Sequence, residues 1–159
     1  PSEIIAEPAL YDSRVYATIG QSPVHGPGQG ILVCLDLATG KRIWESRKVD
    51  RSPGTPAICD GLLYLPDYSG RLHCFDARTG QQYWQHDLGA PVWESSAAVI
   101  EDKVYVSTDK RELWVFKTGR EPQLLAKCRL DSVAITPTCQ EGVLYLPTQK
   151  RLFAIRLHD

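Results

Sequence analysis

Short apolar segments alternate with turn residues along the whole chain, and no ten-residue stretch has the 3.6-residue apolar period of a helix. A representative stretch is PAICDGLLYLP (56–66), in which two apolar segments flank Asp60-Gly61, a dipeptide that favours tight hairpin turns. The segment RLHCFD (71–76) carries apolar groups on both faces, as expected for a sheet packed between two neighbouring sheets. The pattern therefore predicts an all-β protein with very little helix.

The strand pattern repeats about every 40 residues. The segments PALYDSRVY, PAICDGLLY, AAVIEDKVY and PTCQEGVLY close on tyrosines that are 48, 41 and 40 residues apart, and an insertion at 22–30 lengthens the first interval. Such a period of short strands is typical of a β-propeller, in which each repeat forms one blade of four antiparallel strands. We predict a single propeller fragment of four blades, at approximately 1–48, 49–90, 91–130 and 131–159.

The fourth repeat stops just after its third strand. The register of Ile4 and Ile5 places the N-terminal segment at the entry to the first strand of blade one, so this segment does not supply the missing strand. We therefore expect fifteen strands and two uncovered blade faces, which suit half of an eight-bladed propeller better than a closed four-bladed ring. Uncovered apolar faces and strand edges associate readily. The expected partners are the remaining blades of a longer chain or a second copy in a homodimer.

Blades one and two share an eleven-residue motif, CLDLATGKRIW (34–44) and CFDARTGQQYW (74–84). The Asp and Thr side chains can accept hydrogen bonds from nearby backbone N–H groups, and the Gly allows a positive φ in the turn. The Trp ring can then lie between adjacent blades, with its N–H donating to a backbone carbonyl. We predict structural roles for Asp36, Thr39, Gly40, Trp44, Asp76, Thr79, Gly80 and Trp84.

These motifs, and the complete repeat at 52–84, resemble the tryptophan-docking repeat of the quinoprotein-type propellers, the PQQ-binding-like repeat family. The chain as a whole is similar to the C-terminal half of exported propeller proteins of planctomycete-type bacteria. The third repeat departs from the family pattern, because Lys117 replaces the Asp and no docking Trp follows. The resemblance implies a propeller fold and a periplasmic or exported location.

Composition narrows the range of partners. Hydrophobic residues make up 43% of the chain and charged residues 23%, and the net charge of −1 gives no long-range attraction to nucleic acid. No apolar run approaches the roughly 20 residues that span a bilayer, so we expect neither nucleic-acid binding nor membrane insertion. The five cysteines are an odd number without a CxxC pair, which predicts unpaired thiols and no zinc site.

Catalytic chemistry has little support in the sequence. The four histidines lack metal-ligand spacing, and no nucleophile elbow or phosphate-binding loop is present. By resemblance, catalytic members of the family need calcium ligands, an Asp base and adjacent cysteines, and this chain has no adjacent cysteines. We predict no catalytic residue, no metal and no cofactor.

The favoured function is a non-catalytic scaffold or binding module that presents loops and a central face to a protein or ligand. The alternative is a fragment of a quinoprotein dehydrogenase that oxidises alcohols or sugars with PQQ and calcium. A third possibility is an extracellular sensor or carbohydrate-related domain.

The segment PVWESS (91–96) enters the first strand of blade three and should lie near the mouth of the central channel. Trp93 stands outside the docking register. It either packs on a neighbouring blade or offers a stacking surface for a planar ligand or an anchor for a partner. Residues at comparable entry or turn positions are candidates to line the same rim: Arg51, Asp67, Glu94 and Asp131.

Overall fold

The computed structural model describes residues 2–4, 6–21, 24, 28–93 and 95–157. This part of the chain forms four antiparallel sheets and no helix, which confirms the all-β prediction. Accordingly, it offers no helix with the length and apolar character needed to cross a membrane.

Each sheet corresponds to one sequence repeat. Blade one contains β1 (Ser2–Glu3), β2 (Ala9–Tyr11), β3 (Arg14–Gln21), β4 (Gly30–Asp36) and β5 (Arg42–Ser46). Blade two contains β6 (Ala57–Cys59), β7 (Leu62–Pro66), β8 (Arg71–Asp76) and β9 (Gln82–Asp87). Blade three contains β10 (Ala98–Ile100), β11 (Lys103–Thr108), β12 (Glu112–Lys117) and β13 (Gln123–Arg129). Blade four contains β14 (Thr138–Gln140), β15 (Val143–Pro147) and β16 (Leu152–Arg156).

The described residues form sixteen strands, one more than the fifteen predicted. The additional strand is β1, which pairs with the far end of β3 through Ser2↔Gln21 and Glu3↔Gly20. The other end of the same edge of β3 pairs with β2. The N-terminal segment therefore extends the inner edge of blade one, while blade four keeps the order β14–β15–β16.

The blades stand side by side in chain order. Their short inner strands adjoin in the pairs β2 with β6, β6 with β10 and β10 with β14. Side-chain hydroxyls link the segments that lead into these strands: Thr55 N donates to Ser96 Oγ (2.9 Å), and Ser96 N donates to Thr136 Oγ1 (2.8 Å). Each link joins equivalent positions of two consecutive blades, so the connecting segments are held at a constant spacing.

The core consists of three apolar layers, one between each pair of neighbouring blades. Apolar groups on both faces of the middle strands make this possible, since each blade contributes to the layer on either side of it. The first layer joins Tyr16, Leu32 and Cys34 to Leu63, Leu65 and Phe75. The second joins Tyr64, Leu72 and Trp84 to Val104, Val106 and Phe116. The third joins Tyr105, Leu113 and Val115 to Leu144 and Leu146.

Large apolar side chains are exposed on the first and last blades. Leu10 of β2 is 67% exposed, and Leu152 of β16 is 64% exposed. The corresponding strands of blades two and three lie between neighbouring blades. Blades one and four thus carry apolar surface that resembles the packed layers inside the molecule.

Candidate functional site

The tryptophan-docking motif folds into a tight turn after the third strand of each of the first two blades. In blade one, Asp36 Oδ1 accepts hydrogen bonds from Thr39 N (2.8 Å) and Thr39 Oγ1 (2.7 Å). These bonds lower the pKa of the Asp36 carboxyl, since they favour its charged form. In blade two, Asp76 Oδ1 accepts from Thr79 N (2.8 Å), and Asp76 Oδ2 accepts from the Tyr83 hydroxyl (2.8 Å).

Trp44 connects blade one to the docking turn of blade two. Its Nε1 donates to the carbonyl of Ala77 (3.1 Å), which also accepts from the Tyr16 hydroxyl (3.1 Å). The indole lies directly on Gly80, where an added Cβ would come within 2.7 Å of ring atoms. Gly80 has φ +74°. Glycine is thus suited to this position both by conformation and by the space that the indole needs.

Trp84 makes the same connection from blade two to blade three. Its Nε1 donates to the carbonyl of Gly119 (3.0 Å), and Gly119 N donates to the Tyr64 hydroxyl (2.8 Å). Trp84 is buried, whereas Trp44 is half-buried. In blade three, Ala126 pairs with Val115 at the place where Trp44 pairs with Cys34. Blade three therefore offers no such indole to its neighbour.

Asp67 and His73 form a fully buried pair behind the turn between β7 and β8. His73 Nε2 lies 2.7 Å from Asp67 Oδ2, and Gln82 Nε2 lies 2.9 Å from His73 Nδ1. Because the carboxylate can only accept, this network places the histidine hydrogen on Nε2 and leaves Nδ1 to accept from Gln82. Asp67 therefore stabilises the turn from inside and does not line the rim, in contrast to its candidate role in the sequence analysis.

Two opposing effects set the pKa of Asp67. Burial raises the pKa, but hydrogen bonds from His73, the Ser69 hydroxyl (2.7 Å) and Arg71 N (3.1 Å) outweigh burial and leave it lowered.

The repeat itself does not require the Asp67–His73 pair. Strand register places Thr108 and Trp114 of blade three at the equivalent positions, and among the described residues their Oγ1 and Nε1 have no hydrogen-bond partner.

Arg51 and two aromatic side chains form a compact group at the loop end of blades one to three, which we call the rim cluster: Arg51, Tyr68 and Trp93. The Arg51 guanidinium carbon lies 4.3 Å from the Tyr68 ring centroid and 5.0 Å from the Trp93 ring centroid. The two rings meet edge to face at 5.5 Å. Arg51 is 2% exposed, while Tyr68 is 39% and Trp93 is 42% exposed. The cation is thus enclosed beneath an accessible aromatic surface.

Glycines in blade one make room for Arg51. Gly20 and Gly30 face each other in the register of β3 and β4. A Cβ at Gly20 would lie 2.3 Å from Arg51 Cγ, and one at Gly30 would lie 2.2 Å from the carbonyl oxygen of Asp50. These two glycines let the segment between blades one and two approach the ends of β3 and β4 closely.

The fold does not require an arginine at this position. Tyr68 N donates to the carbonyl of Arg51 (2.8 Å), and in the next two blades the corresponding bonds run from Asp109 N to Pro91 and from Gln149 N to Val133. Proline and valine therefore occupy the positions equivalent to Arg51. Among the described residues, Arg51 Nε and Nη1 are enclosed and have no hydrogen-bond partner.

The remaining rim candidates lie apart from this group or outside the described residues. Asp131 forms an ion pair with Arg151 of blade four, with 3.0 Å between Oδ2 and Nε. Glu94 falls outside the described residues. Tyr68 was not predicted, although it stands next to Asp67 in the same turn. Gly20 was not predicted either, because the two glycines involved belong to different strands.

Ordered packing of four similar sheets, joined by docked tryptophans, defines this chain as part of a β-propeller built from PQQ-binding-like repeats. A family model with the description "Outer membrane protein assembly factor BamB" matches residues 27–156. The chain belongs to this family.

Curated relatives have two kinds of names. The chain is 32% identical over 114 residues to 1-butanol dehydrogenase (cytochrome c) of Thauera butanivorans, a match that covers 65% of this chain and 14% of that protein. It is 29% identical over 154 residues to outer membrane protein assembly factor BamB of Alkalilimnicola ehrlichii, covering 89% of this chain and 39% of that protein. The chain thus spans well under half of either relative.

A solved structure supports the fold. The crystal structure of BamB from Moraxella catarrhalis superposes with a TM-score of 0.74 at 16% identity, covering 92% of this chain and 41% of that one. At this level of identity the likeness concerns the fold alone.

Proposed function

We propose that this chain is a non-catalytic binding module of an exported propeller protein and that the rim cluster anchors a protein partner. The packed blades hold the rim cluster in a fixed position, and the partner binds at the loop end of blades one to three.

The composition and accessibility of the rim cluster carry this proposal. Trp, Tyr and Arg are the residues most enriched at the energetic centres of protein interfaces. Tyr68 and Trp93 are both more than a third exposed, and Arg51 beneath them holds their rings through cation–π contacts. Three residues from three separate loops meet at one point, although the repeat places no arginine at the equivalent positions.

The relatives support a protein partner and an exported location. Several matched proteins are named outer membrane protein assembly factor BamB, which describes a protein that acts with others at the outer membrane. From these names we infer that this chain, too, has a protein partner. We also infer a location in the periplasm, because the names refer to the outer membrane.

A quinoprotein dehydrogenase is the second candidate, favoured by the match to 1-butanol dehydrogenase. Its calcium ion would require several oxygen ligands. The described residues contain no group of three or more His, Cys, Asp or Glu side chains arranged to hold a metal ion, and the chain has no adjacent cysteines. The described residues therefore supply no calcium-ligand set, and we derive no catalytic step for them.

Site-specific photo-crosslinking tests the binding function. A photoreactive phenylalanine analogue is placed at position 93 in the protein as its own cell makes it, and crosslinked products are identified by mass spectrometry. The matched control position is Leu125 on the outermost strand of blade three, which is 43% exposed and so equally accessible. We expect one discrete protein adduct from position 93 and none from position 125. Equal labelling at both positions, or no adduct at 93, would contradict the proposal.

A parallel assay addresses the enzyme. The same protein, supplied with PQQ and calcium chloride, is tested for dye-linked oxidation of 1-butanol. We expect no activity above a control without PQQ. PQQ-dependent turnover would replace the binding function with the dehydrogenase.

A further inference from the structure

We infer that the rim cluster recognises a single carboxylate group on its partner, held by the guanidinium of Arg51. This inference rests on the proposed binding function and adds the chemistry of the group that is bound.

The described residues leave part of the hydrogen-bonding capacity of Arg51 unused. Its Nε and Nη1 are enclosed, and neither finds an acceptor in the described part of the chain. Burying a charged group is unfavourable unless it is paired and hydrogen-bonded, and cation–π contacts compensate for only part of this cost. A guanidinium presents N–H groups in a fixed fork that matches the two oxygens of a carboxylate. An incoming carboxylate would therefore satisfy donors that the described residues leave unpaired.

The charge of the neighbouring side chains bears on the charge of the ligand. Three aspartates adjoin the rim cluster: Asp50 precedes Arg51, Asp67 precedes Tyr68, and Asp109 Oδ1 accepts from Trp93 N (3.1 Å). Asp50 also forms an ion pair with Arg71, with 3.7 Å between Oδ2 and Nη1. Asp67 is buried with a lowered pKa and remains charged at neutral pH. A carboxylate neutralises the single charge of Arg51, whereas the second negative charge of a phosphate group would lie near these aspartates without a counter-charge. We therefore expect the site to prefer a carboxylate to a phosphorylated segment.

Two aromatic rings cover the Arg51 cation. Tyr68 and Trp93 stand edge to face above the cation, and each leaves roughly two fifths of its surface accessible. We expect a bound segment to approach Arg51 beside these rings, so that the residues flanking its carboxylate pack against them. An acidic residue between apolar neighbours fits this surface.

Three short peptides test whether a carboxylate is the group that Arg51 binds. The probes are acetyl-Phe-Glu-Phe-amide, acetyl-Phe-Gln-Phe with a free C-terminus, and acetyl-Phe-Gln-Phe-amide, which carry a side-chain carboxylate, a terminal carboxylate and none. Binding to the protein as its own cell makes it is followed through the Nε–H resonance of Arg51 in ¹⁵N NMR spectra. We expect at least one carboxylate peptide to bind about tenfold more tightly than the amide peptide, with a saturable shift of that resonance. The better of the two carboxylate peptides identifies the source of the group. Inorganic phosphate at the same concentration should shift the resonance far less.

Two arginine variants provide the matched comparison. Arg51→Gln should abolish the preference for a carboxylate, whereas Arg47→Gln, which removes the same charge from an exposed side chain four positions earlier, should leave it intact. Equal affinity for all three peptides, or an unshifted Arg51 resonance in the unmodified protein, would overturn the inference even if Arg51→Gln folds poorly. A crosslink from position 93 combined with no carboxylate preference would reject this inference alone. If the photoreactive residue at position 93 gives no protein adduct, the proposed function itself is rejected.

Discussion

Gly40 and Gly80 occupy the same place in the docking motif, but they differ in what faces them. Both have positive φ, +67° and +74°, yet only Gly80 lies against an indole, while a Cβ at Gly40 would meet nothing within 4 Å. Alanine at either position incurs backbone strain of about 1 kcal/mol. Gly80→Ala must also displace Trp44, which adds about 1–3 kcal/mol. Urea unfolding of both variants should show the larger loss for Gly80→Ala; equal losses would mean that the indole does not dock there.

The buried Asp67–His73 pair predicts a specific response to acid. Because the pKa of Asp67 is lowered in the folded protein, its contribution to stability is full above the ordinary carboxyl pKa of about 4 and declines as the pH falls below that value. Asp67→Asn removes the charged acceptor of these buried hydrogen bonds and should cost about 1.5–3 kcal/mol at pH 7.

The difference in unfolding free energy between Asp67→Asn and the unmodified protein should narrow below pH 4. Asp102→Asn is the control, because Asp102 is exposed and, among the described residues, forms its ion pair with the adjacent Lys103. This variant should unfold at nearly the same denaturant concentration as the parent. A constant gap between Asp67→Asn and parent from pH 7 to pH 3 would show that Asp67 does not titrate as described.

Thiol reactivity gives a further comparison between residues. All five cysteines are free, as the sequence predicted, and Cys128 is the exposed one, whereas Cys34 and Cys74 are buried. Burial raises the pKa of Cys74 to about 12 and also raises that of Cys34, so both remain protonated at pH 8. An aromatic disulfide reagent should label about one thiol quickly in the native protein at this pH. Cys128→Ser should remove that fast phase; fast labelling of Cys74 would contradict the assigned packing.

At the scale of elements, the docked tryptophans join one blade to the next. Trp84, a residue of β9, is buried against blade three, whereas Trp44 is half-buried. Trp84→Ala should therefore cost about 3–5 kcal/mol, as other buried aromatic truncations do, and Trp44→Ala should cost less. Trp84→Phe keeps much of the apolar contact but loses the bond to the carbonyl of Gly119, a loss of about 1 kcal/mol. Denaturant unfolding should rank the variants in this order, and a smaller loss for Trp84→Ala than for Trp84→Phe would refute it.

Elements that depend on the repeat were predictable from the sequence, because every blade restates the same local rules. The inner strands begin at Ala9, Ala57, Ala98 and Thr138, each the second residue of one of the four repeated segments that close on a tyrosine. The turn chemistry of the docking motif likewise follows from residue types at fixed spacing. Strand β1 was not predicted, since two residues paired with the end of β3 carry no periodic signal of their own.

The rim cluster was only partly predictable. Trp93 was singled out because it stands outside the docking register, and Arg51 because it occupies a comparable entry or turn position. Their contact with Tyr68 depends on three loops converging, and periodicity says nothing about that convergence. Asp67 was a rim candidate because it occupies a comparable turn position, but His73, the Ser69 hydroxyl and the backbone of its own turn take up its hydrogen-bonding capacity inside the blade.

At the scale of the whole molecule, the exposed apolar surface on blades one and four predicts association. Leu10 and Leu152 each leave about two thirds of their surface accessible, and similar surfaces elsewhere in the molecule are packed against a neighbouring blade. We expect residues 1–159, prepared alone, to self-associate at micromolar concentration through these surfaces. Light scattering should report a mass above 17.8 kDa, and Leu152→Lys should reduce it toward that of the monomer. A monomeric parent chain over this range of concentrations would contradict the prediction.

In the proposed function, the packed blades hold the rim cluster in position, and the rim cluster binds the protein partner. The most direct test measures the affinity of the partner captured from position 93 for the unmodified protein and for the double variant Tyr68→Ser/Trp93→Ser, together with the unfolding midpoint of each. Residues at the centre of an interface contribute about 2 kcal/mol or more each, so the account predicts a loss of affinity of at least about 100-fold with little change in the midpoint. Unchanged affinity in a correctly folded double variant would contradict it.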